Sequence, residues 1–332
     1  MKREQQLTVW LQGQFPDDTF TLTPASADAS FRRYFRATFD DGTTRIIMDA
    51  PPEHEDCQPF LHVAKLFEDA GTHTPHVYAE DLEQGFLLLS DLGNTTYLQA
   101  LTPDNARGLY AAATDALIKI QLASNEAELP PYDEALLLRE MRLFPEWYIS
   151  KHLNITLTET QNTKLESVFA RIVANNLSQP RVYVHRDYHS RNLMVTEPNP
   201  GIIDFQDAVY GPITYDLASL FKDAYIKWEE PQIIDYLIGY WQNARRAGLP
   251  VHEDFGQFYW DFEWMGVQRH IKVLGIFARL CHRDGKDGYL KDMPLVMSYL
   301  RAAAARYVDL KPLFNLLNEL EPPVEAPTGY GF

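Results

Sequence analysis

The eight residues from His185 to Asn192 constrain the fold of this 332-residue chain more than any other stretch. They read His-Arg-Asp-Tyr-His-Ser-Arg-Asn, and the preceding run Arg181–Val184 is typical of a β-strand. A short loop after a strand can direct two polar side chains to one place, here Asp187 as a proton acceptor and Asn192 as an oxygen ligand. We therefore expect a fold that presents this loop at a site.

A second carboxylate follows after a turn. The turn is built from Glu197-Pro198-Asn199-Pro200-Gly201, and the short apolar run Ile202-Ile203 ends at Asp204. We expect the flanking strands to form a hairpin that brings Asp187, Asn192 and Asp204 around one point. Mg²⁺ prefers such oxygen ligands, usually with phosphate oxygens completing its shell. The order and spacing of these groups favour phosphoryl transfer over a plain turn.

This arrangement resembles the catalytic hairpin of aminoglycoside phosphotransferases and choline kinases, a branch of the protein-kinase-like fold. That branch has H-x-D-x-x-x-x-N, a turn, and I-D-F or I-D-W; here Asp204-Phe205 continues into Gln206, where a protein kinase has glycine. Tyr210–Ala218 resembles the branch's G-P-x-x-x-D-L-A stretch. The resemblance implies a bilobal α+β fold, with a small β-rich N-lobe over residues 1–92 and a large helical C-lobe over residues 93–332.

The resemblance also implies roles for individual residues. Asp187 would accept the proton of the acceptor hydroxyl, while Asn192 and Asp204 would hold Mg²⁺ at the phosphates of ATP. His185 and Asp216 would support the catalytic loop. The alternative for His185 is a role in proton transfer.

The β-hairpin expected to cover the nucleotide departs from the family pattern. It lacks G-x-G-x-x-G, and Met48 stands near the position where many kinases have a phosphate-pairing lysine. Because a guanidinium binds phosphate oxygens as a fork, we expect Arg32 or Arg33 to replace that lysine, with Glu68 holding the arginine in place. The alternatives are a solvated basic strand face and a solvent-facing helix acid. The residues expected by position to meet the adenine edge, at the crossing between lobes, are Ser90, Asp91 and Leu92.

Within the branch, the sequence is most similar to bacterial anomeric sugar kinases. The likeness lies in Ser30–Arg36, Phe86–Gly93 and the octapeptide. These enzymes phosphorylate the C1 hydroxyl of N-acetylmuramate and N-acetylglucosamine in peptidoglycan recycling, so we expect an ATP-dependent kinase of such an amino sugar. The expected acceptor-binding residues are Arg191, His189, Tyr225 and Trp228. Surface ion pairing is the alternative for Arg191, and proton transfer is the alternative for His189.

Other acceptors remain open. Acidic groups among the C-terminal aromatic residues could receive a cationic aminoglycoside or choline, although Trp260 and Trp264 stand at helical spacing and favour core packing. A homoserine or 5-thiosugar kinase is a further alternative. A noncatalytic pseudokinase would fit the missing lysine, but the intact set of Asp187, Asn192 and Asp204 argues against it.

Composition excludes several classes of partner. With 30 Lys plus Arg against 46 Asp plus Glu, the net charge of −16 disfavours nucleic acid. No stretch is long and apolar enough for a bilayer, and the segment Met1–Gln6 lacks the apolar core of a signal peptide, so we expect a cytoplasmic protein. Cys57 and Cys281 are expected to be free thiols. The sequence indicates no obligate protein partner.

Overall fold

The computed structural model describes residues 3–27 and 31–322. Ser30 and nearly all of the irregular tail expected from Glu321 onward lie outside these residues. The strands are β1 (Phe20–Ala27), β2 (Arg33–Phe39), β3 (Thr44–Asp49), β4 (Val77–Asp81), β5 (Phe86–Ser90), β6 (Arg181–Val184), β7 (Leu193–Met194), β8 (Gly201–Ile202) and β9 (Val209–Pro212). The α-helices are α1 (Arg3–Gln14), α2 (Gln58–Asp69), α3 (Tyr97–Ala100), α4 (Ala106–Leu122), α5 (Glu134–Met141), α6 (Glu159–Ser178), α7 (Tyr215–Phe221), α8 (Glu230–Ala247), α9 (Phe255–Asp284), α10 (Met293–Arg306) and α11 (Lys311–Leu320).

The chain divides into two compact units, each made of two chain segments. The first consists of Met1–Ala123 with Arg191–Ala208, and the second of Ser124–Ser190 with Val209–Phe332. The first unit extends past the expected boundary at residue 92 because residues 93–123 and 191–208 pack with the N-terminal region. The division into lobes at residue 92 stays a prediction.

An antiparallel sheet of five strands, in the order β1-β2-β3-β5-β4, forms the centre of the first unit. Residues of opposite parity on a strand face opposite sides of the sheet. On one side, Ala37 and Phe39 belong to a buried core with Leu7 and Leu11 of α1. Asp40-Asp41-Gly42 has the composition of a hairpin turn, and these residues join β2 to β3 in the structure. Gly42 takes a left-handed φ of 83°, which glycine adopts readily.

A short hairpin carries the second acid of the motif. β7 pairs with β8, with Leu193 opposite Ile202, whereas β6 pairs with β9. The strand predicted at Arg181–Val184 is therefore right, but the arm that pairs before Asp204 is β7, which lies next to the turn in sequence. Phe205 packs on Phe60 of α2, with ring centroids 5.0 Å apart.

Helices make up most of the second unit. Apolar residues at helical spacing predict a single helix over Glu134–Leu153, but the structure has α5 followed by a π-helix over Phe144–His152. The π-helix begins next to Pro145, a residue without a backbone N–H donor. Gly275 of α9 lies so close to this segment that a Cβ would be 2.5 Å from the Leu143 carbonyl carbon. No helix within residues 3–27 and 31–322 has the length and apolar character needed to cross a membrane.

Apolar residues at helical spacing predict a helix over Tyr215–Lys227, but the helix is shorter in the structure. α7 ends at Phe221, and the carboxylate of Asp223 accepts hydrogen bonds from the backbone N–H groups of Tyr225, at 3.1 Å, and of Ser190, at 2.9 Å. A side chain that binds nearby backbone groups in this way competes with the helical hydrogen-bond pattern. The early end of α7 thereby connects it to the catalytic loop.

Candidate active site

A cavity of about 510 Å³ lies within the first unit, beside β2, β3 and the hairpin β7–β8. Its lining combines an apolar side with a charged one. Residues of the apolar side include Ile46, Leu89, Met194 and Ile203. The polar and motif residues at the cavity are Arg36, Ser90, Asp91, Asn94, Arg191, Asn192 and Asp204.

Asn192 and Asp204 lie next to each other at this cavity. The side-chain amide of Asn192 donates to Oδ2 of Asp204 at 3.1 Å, and the amide of Gln206 donates to Oδ1 of Asp204 at 2.9 Å. Asp204 has a positive φ of 63°, which is uncommon for a residue with a side chain and marks a position fixed by its surroundings. A carboxylate and an amide oxygen are the hard ligands that Mg²⁺ takes, so this pair fits such an ion.

Arg36 brings positive charge to the same cavity. Its guanidinium forms a fork on the Asp91 carboxylate, with contacts of 2.5 and 2.9 Å, and also donates to the Gly93 carbonyl at 3.1 Å. The hydrogen bond to Asp91 raises the pKa of Arg36. Burial alone would raise the pKa of Asp91, but the donors Arg36 and the Gly93 N–H lower it. Both groups are therefore charged at neutral pH.

The arginines expected to replace the lysine lie elsewhere. Arg33 binds Asp49, with Nη2 2.5 Å from Oδ2, on the side of β2 opposite Arg36. Arg32 lies 4.0 Å from Glu55. Within the described lining of the cavity, the arginines are Arg36 and Arg191, and a role of Arg32 or Arg33 at phosphate stays a prediction.

Glu68 also has a different neighbour from the expected one. Its carboxylate lies 2.8 Å from Nδ1 of His76, and both side chains are 52% exposed. Met48, the residue at the lysine position, is buried and pairs across the sheet with Tyr34 and Leu87. Its apolar side chain belongs to the core of the sheet.

In the second unit, Asp216 holds the start of the catalytic loop. Its carboxylate accepts hydrogen bonds from the backbone N–H groups of His185, at 2.7 Å, and Arg186, at 3.0 Å. Nδ1 of the buried His185 accepts from the N–H of Asp187 at 3.2 Å. Burial raises the pKa of Asp216 to about 7, against the opposing effect of the two N–H donors. These are the contacts that a supporting role of His185 and Asp216 requires.

Asp187 lies among positive charges supplied by its own loop and by α9. Its Oδ1 is 3.7 Å from Nη1 of Arg269, and 41% of its side chain is exposed. Partial burial on its own would raise the pKa of Asp187, but the charges of Lys272, Arg269, His189 and Arg186 hold it well below its usual range. Asp187 is thus a carboxylate at neutral pH, as a proton acceptor must be.

The expected acceptor residues of the second unit lie partly together. His189 and Tyr225 make an edge-on ring contact, with centroids 5.4 Å apart, whereas Trp228 is buried. Trp260 and Trp264 stack on each other at 5.4 Å, as packing residues do. The remaining expected acceptor residue, Arg191, belongs to the first unit.

Three charged residues of the second unit were missed by the sequence reasoning. They are Glu140 on α5 and Arg269 and Lys272 on α9, and each is at most 5% exposed. A signal was present in the sequence, since Gln268, Arg269, His270 and Lys272 interrupt an otherwise apolar stretch in the middle of a long helix. Charged residues are rarely buried unless they are paired, so such an interruption indicates a buried network.

The fold has counterparts among solved structures. An aminoglycoside phosphotransferase with ADP bound aligns with a TM-score of 0.59 at 13% identity, covering 89% of this chain and 97% of that one. The fold is therefore that of the kinase-like phosphotransferases. The chain belongs to the phosphotransferase enzyme family, whose model matches residues 21–252.

Two curated relatives are similar over nearly their whole length. A protein of Pseudomonas putida named N-acetylmuramate/N-acetylglucosamine kinase is 50% identical, over 96% of this chain and 97% of its own. A protein of the same name from Neisseria meningitidis is 49% identical, over 100% of both chains.

Proposed function

We propose that the protein is an ATP-dependent kinase of N-acetylmuramate and N-acetylglucosamine that transfers phosphate to the anomeric C1 hydroxyl. The observation that carries this proposal is the 50% identity, over 96% of the chain, to a protein named for that activity. We place the enzyme in the cytoplasm, in peptidoglycan recycling, where free amino sugars would be converted to sugar 1-phosphates.

In the proposed reaction, the C1 oxygen of the sugar forms a bond to the γ-phosphorus of ATP. The bond from that phosphorus to the oxygen shared with the β-phosphate breaks, and ADP leaves with the electron pair. The hydroxyl proton passes to the carboxylate of Asp187, which later releases it to water. Because an anomeric hydroxyl is more acidic than an ordinary alcohol, a carboxylate of low basicity is sufficient for this step.

The residues of the cavity fit the binding of Mg²⁺-ATP. Asn192 and Asp204 would hold Mg²⁺, which when bound neutralises charge on the β- and γ-phosphates. Arg36 and Arg191 line the same cavity and supply the positive charge that the missing lysine would otherwise give. The backbone from Ser90 to Leu92, which also lines it, would bind the adenine edge.

An acceptor screen tests the proposal. Purified full-length protein with Mg²⁺-ATP would be assayed for ADP release with N-acetylmuramate, N-acetylglucosamine, kanamycin, choline and homoserine, each at about 1 mM. We expect release with the two amino sugars and loss of the reducing end in the product. A matched control is the 1-deoxy analogue of N-acetylglucosamine, which lacks only the C1 hydroxyl and should give no release.

Each other outcome would contradict the proposal in a specific way. Release with kanamycin alone would indicate an aminoglycoside kinase, and release with choline or homoserine alone would indicate those acceptors. Release with the 1-deoxy analogue would show that the phosphorylated oxygen is not the one on C1. If no acceptor caused ADP release from protein that still binds nucleotide, the result would favour the alternative that the protein is a pseudokinase.

A further inference from the structure

The middle of α9 brings an unusual amount of charge into the interior of the second unit. Arg269 and Lys272 are each 4% exposed, one helical turn apart. Cations of this kind are almost never buried without partners. Their partners are found on the catalytic loop, on α5 and on α7, so α9 connects these elements through charged contacts.

Arg269 contacts the catalytic loop at two points. Nη1 donates to the backbone carbonyl of Arg186 at 3.0 Å and lies 3.7 Å from the Asp187 carboxylate. Arg186 has a left-handed φ of 75°, a conformation that side-chain-bearing residues rarely take without support. The same guanidinium group therefore holds the backbone at the unusual residue and faces the carboxylate that follows it.

Lys272 and Arg186 share a different carboxylate. Glu140 lies 3.2 Å from Nζ of Lys272 and is also ion-paired with Arg186. The hydroxyl of Tyr215 accepts from Lys272 at 2.9 Å and from Arg269 at 3.4 Å, which joins the two residues of α9. Glu140 is thus paired with Lys272 and Arg186, whereas Arg269 is paired with Asp187.

We propose that Arg269 is a positioning residue for the transfer reaction, which holds both the Asp187 carboxylate and the loop that carries it. The inference rests on the proposed role of Asp187 as proton acceptor. The proposal adds Arg269, on a helix distant in sequence from the loop, to the residues that support the reaction.

Charged groups from α9 and from the loop itself act on the titration of Asp187. Arg269 and Lys272 of α9 and His189 and Arg186 of the loop lower its pKa, whereas partial burial raises it. Asp216 of α7 is the nearby acid, and its own pKa is raised by burial. Removal of the Arg269 charge should therefore raise the pKa of Asp187, and protonated Asp187 cannot accept the hydroxyl proton.

The test is the pH dependence of kcat for the full-length enzyme with Mg²⁺-ATP and N-acetylglucosamine. We expect Arg269→Gln to lower kcat by about tenfold and to move the acid limb of the profile up by about one pH unit. Arg269→Lys retains the charge but not the fork, so its limb should lie between those of the wild type and Arg269→Gln. Arg283→Gln, at a 55% exposed position of the same helix, is the matched control and should leave the profile unchanged.

Circular dichroism and thermal melts at pH 7 check that each variant folds. If Arg269→Gln does not fold, Arg269→Lys provides the test instead. An acid limb of Arg269→Lys identical to that of the wild type would then overturn the inference. A fall in kcat with an unmoved limb in Arg269→Gln would also overturn it, because it would show a purely structural role. Asp187→Asn separates the two proposals: full activity in that variant would refute the assigned base, whereas inactivity with an unmoved Arg269→Gln limb would refute only the role of Arg269.

Discussion

The two units hold their reactive groups by different means. In the first unit, Asn192 and Asp204 bind each other and Gln206, all within a short hairpin of neighbouring sequence. In the second unit, Arg269 contacts the loop of Asp187 from 83 residues away in the chain, measured to Arg186. A local motif can therefore specify the candidate cation ligands, whereas the properties of the proposed base depend on charges that only the tertiary structure brings close.

The largest effect is expected for the base itself. Asp187→Asn removes the proposed proton acceptor and should lower kcat roughly 10³-fold. Nucleotide affinity should change little, because the cavity and both cation ligands belong to the first unit. Steady-state kinetics and calorimetric titration with Mg²⁺-nucleotide measure the two quantities, with Asp287→Asn at an exposed position as the control. Equal losses in kcat and nucleotide affinity would contradict the assigned division of roles.

The next largest effect concerns the buried charges of the second unit. Glu140→Gln leaves Arg186 and Lys272 without their shared carboxylate and should lower the free energy of unfolding by about 3 kcal/mol. Glu166→Gln is the matched control: its partner Arg142 is 54% exposed, so the loss should stay below about 1 kcal/mol. Urea unfolding provides both values, and similar losses would mean that the Glu140 network adds no more than a surface pair.

A smaller effect is expected at the cavity of the first unit. Arg36→Lys replaces the fork on Asp91 by a single ammonium group, and we expect the dissociation constant of the nucleotide to rise about fivefold, close to 1 kcal/mol. Arg33→Lys provides the comparison from the opposite face of the sheet. If Arg33→Lys weakened nucleotide binding more than Arg36→Lys, the expectation from sequence would be right and the assignment to Arg36 wrong.

A pH-dependent change of stability is expected at Asp216. Its folded pKa of about 7 lies above the ordinary value of 3.8, so between these values the folded state binds a proton that the unfolded state does not. The stability that Asp216 contributes therefore grows as pH falls from about 7 towards 4, by at most about 1.4 kcal/mol per pH unit. The unfolding free energy of the wild type minus that of Asp216→Asn should therefore rise as the pH is lowered from 8 to 5. A constant difference would exclude this titration.

The sequence predicted secondary structure correctly where neighbouring residues alone determine the conformation. Arg33–Phe39 alternates in hydrophobicity, and the structure has a strand with these bounds. Apolar residues at helical spacing over Pro59–Ala70 predict the helix α2, and Gly71 beyond it takes a left-handed φ of 77°. The pairing of β6 with β9 and the π-helix after α5 depend on contacts between distant segments, for which the sequence carries no local pattern.

The same distinction applies to the candidate site. The spacing of the motif indicated Asp187, Asn192 and Asp204, whereas the support from Asp216 was implied by the resemblance to the phosphotransferase branch. The side on which Arg33 and Arg36 lie depends on the register of β2 within the sheet. The meeting of Arg269 with Asp187 depends on the packing of a helix that begins at Phe255.

Because of where the chain divides, the first unit cannot be produced as one continuous fragment. The peptide passes from one unit to the other between Ser190 and Arg191, inside the octapeptide. A truncated polypeptide that stops at Ala123 would therefore lack β7, β8 and both candidate ligands of the cation. An autonomous nucleotide-binding fragment would require grafting residues 191–208 back onto it through an artificial linker, so the first unit is an assembly of two distant pieces of the gene product.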